Sequence, residues 1–401
     1  MASIRDLYLS NVGQTSDMPM LLEVEKAEGV HIYDRSGKRY IDMNSGISVS
    51  SLGHCHPYVT KAIVDQVKSY THTMVYGEHI QAPQVSFATR LLGELDEHFQ
   101  SVYYLSAGTE ATELAMKIAK KFTGRYEIVA CRNAYHGSTQ AAEALRSDED
   151  YKAGYMPLLP GIKHIDFNQV KDLSLISCRT ACVICEVVQG EAGVIKGHEH
   201  FLQALQKKCT DVGALLIFDE IQSGFGRTGK LFAHQHFGII PDVLMLGKAM
   251  GGGMPISGVV SSKKIMETIV RDPALGHIST FGGHPVSCAA ADASLKVLLE
   301  GSIINEVKEK EAYILKRLAT HPIIKEIRSA GLMMAVEPTR RKYLKHIVAK
   351  AFDLGVIIDW FLFNNRSFRL APPLVISTQE LKEACDILLE AMDYAQGKYA
   401  S

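Results

Sequence analysis

Short apolar runs, spaced by helical or glycine-rich segments, constrain this chain more than any other feature. They are VYYLS (102–106), EIVAC (127–131), ACVIC (181–185), ALLIFD (214–219) and VLML (243–246). Continuous runs of this length suit strands buried on both faces. Their alternation with helices predicts an α/β fold built on a mostly parallel sheet. In such folds ligands collect at the carboxyl ends of the strands. The polar residues that close each run are therefore the candidates for chemistry.

Flanking segments have a different texture. VHIYDRSGKRYI (30–41) predicts a hairpin around Asp34–Gly37. A helix is expected from Pro57, with Val59, Ala62, Ile63 and Val67 on one face, and another carries Val85, Ala88, Leu91 and Leu92. From about residue 291 a long helical pattern (303–319) precedes the strand-like GLMMAV and GVIIDWFLF. A closing helix carries Leu381, Ala384, Cys385, Leu388, Leu389 and Met392, with Ser377 and Glu380 as a capping box. The expected division is a large domain over 51–290 and a small α+β domain over 291–401, with the segment 1–50 joining the small domain or forming a dimer arm.

Lys and Arg total 43 against 44 Asp and Glu, a net charge of −1, and no basic run stands out. That balance argues against a nucleic-acid partner. The opening MASIRDLYLS lacks an apolar signal core, and the uncharged stretches fall short of a membrane span. A cytoplasmic protein with no membrane partner is expected. The 8 cysteines show no framework of spacings, which suits free thiols in a reducing compartment. CVIC (182–185) has thioredoxin-like spacing but lies in a run that reads as a buried strand. His54 and His56 in GHCHP lack further clustered ligands, so no metal is expected.

At the strand ends, SAGTEATE (106–113) starts a helix near Gly108 and Thr109. Free backbone N–H groups and the helix dipole make such a point an anion site, although a plain capped helix start has the same appearance. ALLIFDEIQSGFGRTG ends its strand on Asp219 and Glu220. Two acids there suit magnesium, or Asp219 alone suits a protonated cofactor ring nitrogen. Arg227 reads as a structural ion pair. In RNAYHGST (132–139) an aromatic pair, Tyr135 and His136, follows a strand, placed to stack on a planar ligand or simply to pack. In VLMLGKAMGGGMP, Lys248 reads as a surface lysine or as an imine-forming lysine with a lowered pKa.

Taken together, these segments resemble the class III (omega) aminotransferases of pyridoxal-phosphate (PLP) fold type I. SAGTEATE, NAYHG, VVQGEAGV, LLIFDEIQSGFGRTG, PDVLMLGKAMGGGMPISGVV, STFGGHP and FRLAPPLVIS carry the resemblance, which spans nearly the whole chain and is strongest toward acetylornithine and ornithine aminotransferases. It implies a seven-stranded-type sheet flanked by helices and the cofactor pyridoxal 5'-phosphate. It implies Lys248 as the lysine linked to the cofactor and Asp219 as the acid that keeps the pyridine nitrogen protonated. Gly108 and Thr109 would hold the phosphate, Tyr135 would stack on the ring and Gln222 would contact its hydroxyl. Arg369 would grip a substrate carboxylate, with Glu191 as a gate that pairs with it. A homodimer with shared sites is implied, in which Thr280 reaches the neighbouring subunit's phosphate.

One departure concerns substrate. Acetylornithine and ornithine aminotransferases usually carry Arg, a second carboxylate anchor, where this chain has Ser138; Arg132 is nearby in sequence. His284 stands where many members have Asn and receives no role. The expected reaction moves a terminal amino group from an omega-amino acid to 2-oxoglutarate by a ping-pong route. A glutamate-1-semialdehyde-type aminomutase, or another PLP isomerase, is the alternative on the same scaffold. A non-catalytic PLP-binding regulatory domain is a more distant one.

Overall fold

The computed structural model describes residues 3–399. A 7-stranded sheet runs in the order Ser101–Leu105, Ser257–Ser261, Val243–Leu246, Leu215–Asp219, Thr180–Glu186, Glu127–Cys131, Ile162–Ile165. Ser257–Ser261 is antiparallel to both neighbours. The remaining pairings are parallel. This is the mostly parallel seven-stranded sheet that the resemblance implies.

Both faces of the sheet are buried, as unbroken apolar runs require. Leu216 and Phe218 face one apolar cluster, while Leu215 and Ile217 face the other. The first cluster also takes Phe201, Leu202 and Leu205 from the Glu199–Val212 helix. The second takes Ala111, Leu114, Ala115 and Ile118 from the Gly108–Thr123 helix. Truncating a side chain such as the fully buried Phe218 to Ala costs about 3–5 kcal/mol in sites of this kind.

Two 4-stranded sheets accompany this centre, besides a 2-stranded pairing of Val188–Gln189 with Ile195–Lys196. One pairs Val24–Glu28, His31–Asp34 and Arg39–Asp42 with Val356–Ile357. The other orders Ile324–Ser329, Met334–Pro338, Phe368–Leu370 and Asp359–Trp360. GVIIDWFLF, one segment in sequence, therefore serves two sheets, changing over at Ile358. The Thr378–Gly397 helix begins with the Ser377–Glu380 capping box.

Several local expectations need correction. Val67 and Val85 lie on exposed surface, and the buried face of the Ala82–Gly93 helix is Phe87 and Leu91. Arg227 makes no ion pair among the described residues. It is fully buried and donates to the carbonyls of Leu332 (3.0 Å) and Pro372 (2.5 Å) and to Ser51 Oγ (3.1 Å). Burial, opposed only by the charge of Asp42, brings its pKa down to about 9. Cys182 and Cys185 are buried free thiols, and burial raises the Cys182 pKa to about 12. His54 Nε2 is 2.9 Å from Asp42 Oδ2. Among the described residues no helix is long and apolar enough to cross a membrane.

Candidate active site

A cavity of about 440 Å³ opens at the carboxyl ends of the central strands. Gly108, Thr109, Tyr135, Asp219, Gln222 and Lys248 all line it. They come from four separate strand-to-helix or strand-to-loop passages, so the parallel sheet itself gathers them.

Lys248 follows the Val243–Leu246 strand after Gly247, at φ +48°. A lysine in the left-handed region is strained, and such strain concentrates at functional sites. The residue is half-buried and lines the cavity. Burial lowers its pKa; Glu191, Asp219 and Glu186 act in the other direction. A lowered pKa leaves more of the amine neutral, the form that acts as nucleophile or base.

Asp219 ends its strand with 5% of its surface exposed. Oδ1 accepts from the Ile221 N–H at 3.0 Å, and Oδ2 lies 2.7 Å from His136 Nδ1. For His136 burial disfavours the charged ring, but Asp219, together with Glu186, outweighs it and raises the pKa. Glu186 is the register partner of Asp219 on the next strand. Its carboxylate accepts from the N–H groups of Tyr135 (3.1 Å) and Gly190 (2.9 Å). Burial moves its pKa up to about 7, with His136 pulling the other way. Glu220 turns away into a buried knot with His234 and Ser223, so the two acids do not converge on a magnesium site.

The Gly108–Thr123 helix has Ala107 at its N-cap, with no side-chain cap. Its first N–H groups, oriented by the helix dipole, suit a phosphate. Thr109 Oγ1 lies 2.7 Å from Thr139 Oγ1. Gly137 crosses this corner at φ +128°, and a Cβ there would meet Thr109 Oγ1 at 2.3 Å. Only glycine lets the two loops approach so closely. An uncapped helix start, a buried carboxylate and a cavity-facing amine are what a phosphate, a protonated ring nitrogen and an aldehyde carbon require, so the residues present fit PLP.

Arg369 stands just behind the cavity wall, 3% exposed. Nη2 donates to Glu191 Oε2 at 2.9 Å and to the Trp360 carbonyl at 3.1 Å. Nε is 3.3 Å from Asp359 Oδ1, and Phe361 lies 4.6 Å from the guanidinium. Nη1 finds no hydrogen-bond partner among the described residues. Burial raises the Asp359 pKa to about 6 against the pull of Arg369. Thr280 is exposed and lines a different cavity, its carbonyl accepting from His72 Nε2 at 2.9 Å. His284 is the N-cap of the Pro285–Glu300 helix, its ring 5.6 Å from that of His72.

Sequence reasoning gave no role to Glu186 or Asp359, and read His136 only as an aromatic to stack or pack, whereas its ring pairs with Asp219. Glu186 was findable, because it too ends an apolar run; Asp359 and the pairing of His136 needed the fold.

Comparison with known proteins gives a consistent result. The class-III aminotransferase family model matches residues 12–392. The chain is 35% identical over 376 residues to an acetylornithine aminotransferase of Caldanaerobacter subterraneus, covering 90% of this chain and 92% of that one. It is 34% identical to a [LysW]-aminoadipate semialdehyde/glutamate semialdehyde transaminase of Sulfolobus acidocaldarius, covering 95% and 97%. Its fold is similar to that of the ornithine aminotransferase of Toxoplasma gondii, a structure with partial occupancy of PLP, at a TM-score of 0.89 and 30% identity over 98% of this chain and 94% of that one.

Proposed function

The chain belongs to the class-III aminotransferases, which depend on PLP, and from that premise we propose that it moves the terminal amino group of an omega-amino acid to 2-oxoglutarate in two successive half-reactions. The observation that carries the reading is one cavity lined by Lys248, Asp219 and the uncapped helix start at Gly108, with the Arg369–Glu191 pair at its wall.

When bound, PLP supplies an electron sink for the carbon that gains or loses the amino group. Lys248 would tether the cofactor and, once released, would move a proton off the carbon that loses the amino group and onto the carbon that gains it; a lowered pKa suits that double duty. Asp219, held by His136, would keep a proton on the ring nitrogen. Gly108 and Thr109 would hold the phosphate, Tyr135 would cover the ring and Gln222 would contact its hydroxyl. Glu191 pairs with Arg369 while a donor without a second carboxylate is bound, and releases it for a dicarboxylate acceptor.

The same reading takes the enzyme to be a cytoplasmic homodimer, with Thr280 reaching the phosphate bound by a second copy. It groups residues 1–50 with the small domain 291–401, against a cofactor domain of 51–290. The pairing of Arg39–Asp42 with Val356–Ile357 supports that grouping.

A half-reaction screen tests the proposal. Donors should discharge the visible band of the bound cofactor and 2-oxoglutarate should restore it. Lys248→Ala should abolish turnover, and full activity in that variant would refute the mechanism. Isomerisation of one substrate without net amino transfer would favour the aminomutase alternative.

A further inference from the structure

Arg146 was no part of the site read from the sequence, yet it borders it. The residue is 6% exposed. Its guanidinium lies 5.0 Å from the Tyr135 ring centre, 5.3 Å from Tyr151 and 6.0 Å from Phe363. Nη2 donates to Ser138 Oγ at 3.1 Å. Glu143 Oε1 is 3.0 Å from Nη1 but out of hydrogen-bond alignment, and Nε has no partner among the described residues. A buried guanidinium this loosely matched is costly, and its planar fork suits a carboxylate.

The position tells which carboxylate. Arg146 and Ser138 line a second cavity, of about 600 Å³. Ser138 also lines the cavity that holds Lys248. A substrate whose reacting carbon stands at Lys248 thus reaches Arg146 by passing Ser138. Arg369 is held by two carboxylates, Glu191 and Asp359, where Arg146 meets one, Glu143. Arg132, closer in sequence to that cavity mouth, is half exposed and pairs with Asp166 at 3.2 Å.

We propose that Arg146 anchors the substrate carboxylate farthest from the reacting carbon, supplying from a neighbouring loop the cation that Ser138 lacks. The inference rests on the aminotransferase reading. Two sources share this chemistry: the α-carboxylate of an omega-amino donor and the distal carboxylate of a keto-dicarboxylate acceptor.

Paired substrates separate these sources in the holoenzyme. Acetylornithine is compared with N-acetyl-1,4-diaminobutane, and 4-aminobutyrate with 1-aminopropane, each pair differing by one carboxylate. 2-Oxoglutarate is likewise compared with 2-oxopentanoate. Arg146→Ala should lose about 100-fold in kcat/KM, mainly through KM, for the carboxylate-bearing member only. Loss with donors alone, or with 2-oxoglutarate alone, assigns the carboxylate to that substrate. Arg146→Lys should lose less, and Ser138→Arg placed on Arg146→Ala should recover most of the difference. An unaltered visible band of the bound cofactor reports a folded site. Equal loss on both members of every pair, no loss on any, or a wild type indifferent to the carboxylate overturns the proposal. A wild type that transfers no amino group from any donor refutes the underlying aminotransferase reading instead.

Discussion

His136 Nδ1 lies 2.7 Å from Asp219 Oδ2, and the His136 side chain has no exposed surface. Removing one member of such a pair leaves a buried charge without its partner, at a cost of about 3–5 kcal/mol. His136→Phe should therefore unfold earlier in urea when cofactor-free, and should lose at least about 10-fold in kcat as Asp219 loses its orientation. The sign with pH is fixed: the His136 pKa is raised, so the pair's contribution is full below about pH 6.5 and fades as pH climbs through the raised value. The stability gap between wild type and variant should narrow from pH 6 to pH 9. A gap that widens with pH contradicts the assignment.

On the proposed role of Arg369, Asp359 should make substrate choice depend on pH. Its pKa is raised to about 6, so it is charged at pH 7.5 and competes for Arg369, and it is largely neutral at pH 5. Glutarate should inhibit more tightly at pH 5.5 than at pH 7.5, by about 3- to 10-fold. In Asp359→Asn the inhibition should be tight at both. The same raised pKa means that Asp359 detracts from stability as pH rises from about 4 to 6.

Gly137 is a steric requirement. With φ at +128° and Thr109 Oγ1 at 2.3 Å from any Cβ, Gly137→Ala must displace the start of the phosphate-type helix. We expect a loss of about 2 kcal/mol or more in stability and weaker PLP binding, measured by titrating the cofactor-free protein. Unchanged PLP affinity would mean that this corner does not contact the cofactor.

Arg227 holds three strangers together: a hydroxyl from the N-terminal region and two carbonyls from the C-terminal part of the chain. Arg227→Met keeps most of the volume but strands those acceptors. It should destabilise by about 3 kcal/mol or more, seen as a lower denaturation midpoint in the cofactor-free protein. A variant as stable as wild type would show that water replaces the guanidinium at little cost.

What could be read beforehand depended on how locally each feature is encoded. Strands buried on both faces announce themselves as apolar runs, and their ends carry Asp219 and Glu186. Ser257–Ser261 does not, because its end residues are serines. They are fully buried only because Ser257 donates to the Ala107 carbonyl and Ser261 to that of Asp242. Nor does ALRSDED suggest that Arg146 is buried. That follows from Tyr151 and from Phe363, which is remote in sequence and arrives through the fold. The expectation of an ion pair for Arg227 failed for a related reason, since backbone carbonyls from distant loops leave no mark in the residue pattern.

The changeover at Ile358 couples parts of the molecule that sequence keeps far apart. On one side Val356–Ile357 is pinned to Ile41 and Asp42. On the other, Asp359 contacts Arg369, Leu362 N–H donates to Glu191 Oε2 at 3.0 Å, and Phe363 N–H donates to the Glu191 carbonyl at 3.1 Å. This short ribbon acts as a tie-rod between the N-terminal sheet and both carboxylates that hold Arg369. A displacement of that sheet would reach the arginine as a change in how firmly it is held, so on the proposed role of Arg369 the choice between substrates would depend partly on residues that meet neither.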